Sequence, residues 1–185
     1  MTPWQLRHAA RIIFAGGVVA YPTEAVWGLG CDPANFASVL RICELKGRPT
    51  AKGFIVIAAD LAQCRPWLAP LTADEVRRIT DRGPVPTTWL VPTSSHAPAW
   101  LSGEHATLAV RITHHPVAAA LCRAAGMPLV STSANPAGAP PARTALRVRQ
   151  YFANRLDYIL PGATAGLRRP SQIRELRGEH IVRGS

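Results

Sequence analysis

An α/β domain built on a twisted, open, mixed β-sheet is the fold class this sequence predicts, and three observations predict it. Short apolar runs of strand length alternate with longer segments whose apolar residues recur at helical spacing. The runs around Trp89 and Leu108 are joined by a Pro-rich stretch rather than by a helix, so the sheet cannot be purely parallel. With 48% apolar and 17% charged residues, the 185-residue chain can bury a substantial core and fits one domain, residues 1–185.

Taken in order, Thr2 before Pro3 reads as a helix cap with Pro in the first turn. Leu6, Ala9, Ala10, Ile13 and Phe14 then follow helical spacing, and Gly16-Gly17 stop the helix. Residues 18–21 form a short buried strand ended by Pro22. A helix is expected over about 35–45, with Phe36, Val39, Leu40, Ile42 and Cys43 on its apolar side; it delivers the chain into a loop over 46–53, which residues 54–59 leave as a strand. Further strands are expected at 88–91, 108–112, 128–132, 158–160 and 180–182, and helices at about 72–80, 116–125 and 144–153. His114-His115 before Pro116 marks a strand-to-helix turn, and Gly126 ends the helix that follows. Segments 92–107 and 133–143 are loop-like, and the second directly follows a strand, where α/β sheets bind ligands. The Arg-rich tail, 168–183, reads either as a flap over a site or as a solvated edge.

Several function classes drop out. No stretch of 18 apolar residues occurs, and the N-terminus lacks the pattern of a secretion signal, so a cytoplasmic location with no membrane partner is expected. Cys31, Cys43, Cys64 and Cys122 form no CxxC pair, and no metal-ligand spacing is present. Neither glycine-rich phosphate loop of the familiar kinds appears, and no carboxylate dyad or local nucleophile–His pair is suggested. The net charge of +10 attracts nucleotides, nucleic acid or acidic surfaces without saying which.

One loop stands out. Only two of the 21 basic residues are lysines, Lys46 and Lys52, and both fall in Lys46-Gly47-Arg48-Pro49-Thr50-Ala51-Lys52-Gly53. An ammonium is a compact point charge and a guanidinium a flat fork, so a site that needs one does not accept the other. Two strand-end clusters could converge with this loop: Tyr21-Pro22-Thr23-Glu24 and Ser131-Thr132-Ser133-Ala134-Asn135. Each alone fits ordinary turn and capping chemistry. Together they suggest an anion-binding concavity.

The ordered set Tyr21-Pro22-Thr23-Glu24-Ala25-Val26-Trp27-Gly28-Leu29-Gly30-Cys31-Asp32, Leu45-Lys46-Gly47-Arg48-Pro49 and Ser131-Thr132-Ser133-Ala134-Asn135 resembles the YrdC-like threonylcarbamoyl-AMP synthase family, in its short form. The likeness extends through Ala109-Val110-Arg111-Ile112-Thr113 and the tail Arg169-Pro170-Ser171-Gln172-Ile173-Arg174. It implies a basic concave sheet face and a nucleotidyltransferase that joins L-threonine, bicarbonate and ATP, with Mg²⁺ on the phosphates. A separate tRNA threonylcarbamoyltransferase complex would take the product to adenosine 37 of tRNA, and binding of double-stranded RNA is also implied. By position, the resemblance puts Lys46 and Arg48 in catalysis. It places ATP on Lys46, Arg48, Lys52, Ser131, Ser133, Asn135 and Arg143, and threonine on Thr23, Arg111 and Ser171. No protein metal ligand is implied. Glu24 fits a turn role as well as a proton-transfer role and stays out of the catalytic set.

One departure is visible. The family's Trp-Pro-Gly-Pro turn is here Gly83-Pro84-Val85-Pro86, so either the turn takes another shape or Val85 is strained. The rival readings are a non-enzymatic RNA-binding module, supported by charge but lacking aromatic stacking residues, and a carbamoyl-adenylate module of a larger transferase.

Overall fold

A computed structural model describes residues 1–178 and 180–184. In chain order it contains α1 (Pro3–Phe14), β1 (Val19–Pro22), β2 (Trp27–Gly30), α2 (Phe36–Lys46), β3 (Ile55–Ala58), α3 (Ala73–Thr80), β4 (Thr87–Pro92), α4 (Ala99–Ser102), β5 (Thr107–Ile112), α5 (Pro116–Ala125), β6 (Leu129–Ser133), α6 (Ala145–Phe152), β7 (Tyr158–Ile159), β8 (Gln172–Glu175) and β9 (Ile181–Arg183). The strands form one open sheet in the order β7-β1-β2-β6-β3-β5-β4-β8-β9. Pairing is mixed: β3 with β5, β4 with β8 and β1 with β7 are parallel, the rest antiparallel.

The helices begin where short polar side chains cap them. Thr2 and Gln5 make a reciprocal capping box at α1, and Thr72 and Glu75 make another at α3. His115 caps α5: Nδ1 accepts from the Ala118 amide while Nε2 meets the Ala163 carbonyl at 3.0 Å, which assigns the proton to Nε2. Gly47 and Gly126 follow α2 and α5 in the left-handed region.

Alternation along each strand sends side chains to two separate cores. Ile57 and Leu129 pack with Val19, Tyr21 and the inner faces of α1 and α5. Their neighbours Val56, Ala58 and Val130 point the other way, into a core shared with α2, α3 and α6. Helices α1 and α5 thus cover only part of their face. Across the remainder the sheet presents Gly28, Ser131, Ser133, Ile55, Ala109, Leu90 and Ile173, several of them too small to fill the space above.

Two strands lie where none was expected. β2 carries Gly28 and Gly30, which weaken an isolated strand, but β1 and β6 pair with it on both edges. A Cβ at Gly30 would sit 2.7 Å from both the Tyr21 ring and the Val130 carbonyl, so the ring's close approach requires glycine. β8 is polar and forms a sheet edge with β9; their Ile173 and Val182 also line the cavity below, so the tail is a sheet edge that borders the cavity. The strand expected at 180–182 runs Ile181–Arg183, and the loop at 92–107 includes the one-turn α4. Ala153 is the one non-glycine at positive φ among the described residues, so Val85 is not strained in that sense.

Candidate active site

The uncovered part of the sheet face floors a cavity of about 590 Å³. Its walls come from four places distant in sequence. The β1–β2 turn contributes Thr23, whose amide and hydroxyl both donate to the Val26 carbonyl. The loop after α2 contributes Arg48 and Lys52, the end of β6 contributes Ser131 and Ser133, and the tail contributes Pro170 and Ser171. Arg111 rises from β5 between them. Among the described residues no carboxylate lines the cavity, while Arg48, Lys52 and Arg111 do.

Thr23, Arg48, Lys52, Arg111, Ser131, Ser133 and Ser171 therefore share one cavity. Lys46, Asn135 and Arg143 do not line it. Lys46 is buried behind the wall, where its ammonium donates to the Ser133 carbonyl and, at 2.8 Å, to the Asn135 carbonyl. Burial, and then the Arg48 charge, push its pKa down to about 8, while the two carbonyls favour the charged form. Asn135 donates to the Pro136 and Ala139 carbonyls at 3.0 and 2.7 Å and so ties its own loop. Arg143 donates to the carbonyls of Leu167 and Arg168, holding the strap that precedes the tail.

The lysine loop is itself braced. Arg48 donates to the Gly53 carbonyl and lies over the Phe54 ring, 4.6 Å from its centre. Burial lowers its pKa too. Its Nε is buried without a hydrogen-bond partner, as are Arg111 Nε and Trp27 Nε1, all three on cavity-lining residues. Orphaned donors of this kind suit a ligand rich in acceptors.

Sequence reasoning gave Trp27 no role and left Glu24 between a turn role and a proton-transfer role. Glu24 Oε2 sits 3.0 Å from an Arg111 terminal nitrogen, and Oε1 accepts from the Thr113 hydroxyl at 2.9 Å. Burial alone would raise the Glu24 pKa, but Arg111, its own backbone amide and Thr113 outweigh burial and hold it below the usual range. The pair fixes the Arg111 guanidinium at the cavity wall. No local pattern signals it, because Glu24 and Arg111 lie far apart in sequence and meet only across the folded sheet, with β6 and β3 between the β1–β2 hairpin and β5.

Among the described residues no group of His, Cys, Asp and Glu could hold a metal ion. With no carboxylate among the described lining residues either, the described side chains do not make a resident Mg²⁺ site. No helix among the described residues is long and apolar enough to cross a membrane.

These features define a class: an open-sheet α/β protein with a cationic cavity on the uncovered part of one face. The family model for Sua5/YciO/YrdC, described as telomere recombination, matches residues 11–185, and the chain belongs to this family. It is 56% identical over 174 residues to the threonylcarbamoyl-AMP synthase of Nitrosococcus oceani, covering 94% of each chain. With that of Halorhodospira halophila it shares 54% over 181 residues, covering 98% of this chain and 95% of the other. It superposes on P. abyssi Sua5 complexed with L-threonine with a TM-score of 0.88 and 30% identity. That match covers 95% of this chain and 52% of the other, so the chain spans about half of that protein.

Proposed function

We propose that this protein is a threonylcarbamoyl-AMP synthase, a nucleotidyltransferase using L-threonine, bicarbonate and ATP. The observation that carries the reading is the single cavity in which Arg48, Lys52, Ser131 and Ser133 face Thr23, Arg111 and Ser171. The first group offers cations and hydroxyls to phosphates. The second offers polar contacts to an amino acid, with Arg111 matched to its carboxylate.

In the reaction, the threonine amine adds to bicarbonate with loss of water to form a carbamate. A carbamate oxygen then attacks the α-phosphorus, forming the new P–O bond as the bond to pyrophosphate breaks. Arg48 and Lys52 stabilise charge on the departing pyrophosphate, and no protein nucleophile is needed. Lys46 acts as a positioning residue: by holding the Ser133 and Asn135 carbonyls it fixes the strand end that presents the hydroxyls. Asn135 and Arg143 support the nucleotide side in the same way, through loop and strap. Mg²⁺ enters with the phosphates of ATP as part of the substrate.

The same reading places the protein in the cytoplasm, with its product passed to a separate tRNA threonylcarbamoyltransferase complex and tRNA as the final acceptor. The test is pyrophosphate release with each of ATP, threonine and bicarbonate omitted in turn. Release that requires all three supports the synthase. Tight binding of double-stranded RNA without turnover would support the non-enzymatic alternative.

A further inference from the structure

A second cavity, of about 510 Å³, lies on the opposite face of the sheet. On β4 and β8 the residues that point away from the first cavity, Thr87, Trp89, Gln172 and Arg174, line this one, and α3 closes it with Arg78 and Ile79. Trp89 is buried, and two guanidiniums from different elements cover its ring, Arg78 at 5.0 Å and Arg174 at 5.6 Å from the centre. Arg82 completes the basic wall, with the His114 ring beside it.

The charges here are unbalanced. Among the described residues the ion pairs are Arg41–Asp157, Arg77–Asp74, Arg111–Glu24 and Arg177–Glu75, so Arg78, Arg82 and Arg174 have no carboxylate partner. Of the two acids among the described lining residues, Glu24 is committed to Arg111 and Thr113, which leaves Asp81 against three arginines. Like charges gathered around a cavity repel unless a counter-charge enters. The indole ring holds two of the guanidiniums in place, so less side-chain freedom is lost when they bind a ligand.

From this arrangement we infer that the second cavity is an oxyanion site that takes a phosphate-bearing anion, separate from the substrate cavity. Planar guanidinium forks match the oxygens of phosphate, and the volume is large enough to admit a di- or triphosphate. The inference goes beyond the proposed synthase activity and does not depend on it.

Calorimetric titration of the full chain with inorganic pyrophosphate tests it. An Arg78→Gln/Arg82→Gln variant should weaken one pyrophosphate site by roughly tenfold or more, while Arg48→Gln leaves that site intact. Pyrophosphate-forming turnover at low pyrophosphate should be unchanged in the double variant. Equal affinity in wild type and double variant, or a lone site abolished by Arg48→Gln, overturns the inference. If the double variant does not fold, Arg82→Gln alone, at an exposed side chain, must still weaken the site by about threefold. Competition by an oligoribonucleotide identifies a phosphodiester as the source of the anion, and competition by tripolyphosphate alone identifies a free polyphosphate.

Discussion

Lys46 donates to two carbonyls that lie on a strand end far along the chain, and this accounts for a lysine at a place where the sequence otherwise uses arginine. One ammonium can serve both acceptors from a buried position, whereas a planar fork in the same space would displace the loop. Lys46→Arg should therefore lower kcat/KM by about tenfold or more, about 1.4 kcal/mol, although the charge is kept. Wild-type kinetics in that variant would show that charge alone suffices. The group also gives a pH dependence. Above about 8 the buried ammonium loses its proton, and nucleotide affinity should fall as the Ser133 and Asn135 carbonyls are released. Stability moves the other way: the unfolded lysine keeps its proton up to about 10.5, so between these values the unfolded chain binds more protons and this group's contribution rises with pH. Nucleotide titrations on either side of pH 8, with parallel denaturation curves, check both signs; an affinity flat across that range contradicts the role. The oddity of the two lysines was legible in the sequence. That Lys46 holds backbone from behind was not, because it depends on where β6 ends relative to α2.

At the scale of elements, the lysine loop keeps its shape by packing against the turn after α4. The Phe54 amide donates to the Leu101 carbonyl at 2.8 Å, and the Glu104 amide reaches the Ala51 carbonyl. Gly103 makes this possible: its φ is +61°, and a Cβ there would lie 2.3 Å from the Ala51 carbonyl oxygen. Gly103→Ala should destabilise the fold by about 1–3 kcal/mol and weaken nucleotide binding, because the displaced backbone carries Lys52. Chemical denaturation and nucleotide titration of that variant report the two effects, and an unchanged denaturation midpoint refutes the packing argument. Helices with caps and glycine stops were legible to within a residue or two, since Thr2, Thr144 and Gly126 act locally. β2 and β8 were not. One is glycine-rich and the other polar, and each is a strand because of the neighbours it pairs with.

Across the whole molecule, the site exists because two helices cover only part of one sheet face and the rest carries small side chains. Ala109 lies mid-floor, level with Ile55 on one side and Leu90 on the other. Ala109→Leu should fill the cavity and cut nucleotide affinity by more than about tenfold, with the melting temperature shifted by no more than a few degrees. Retained affinity in a folded variant would mean the ligand lies elsewhere. The sequence resemblance brought most of the wall residues to one place, but it could not distinguish those that line the cavity from Lys46, Asn135 and Arg143, which support it. The most direct measurement is a crystal structure of the protein with a non-hydrolysable ATP analogue and L-threonine. The account predicts the triphosphate between Arg48, Lys52 and the Ser131–Ser133 strand end, with the threonine carboxylate at Arg111. A triphosphate seated instead under Arg78 and Arg174, or away from both cavities, would contradict it.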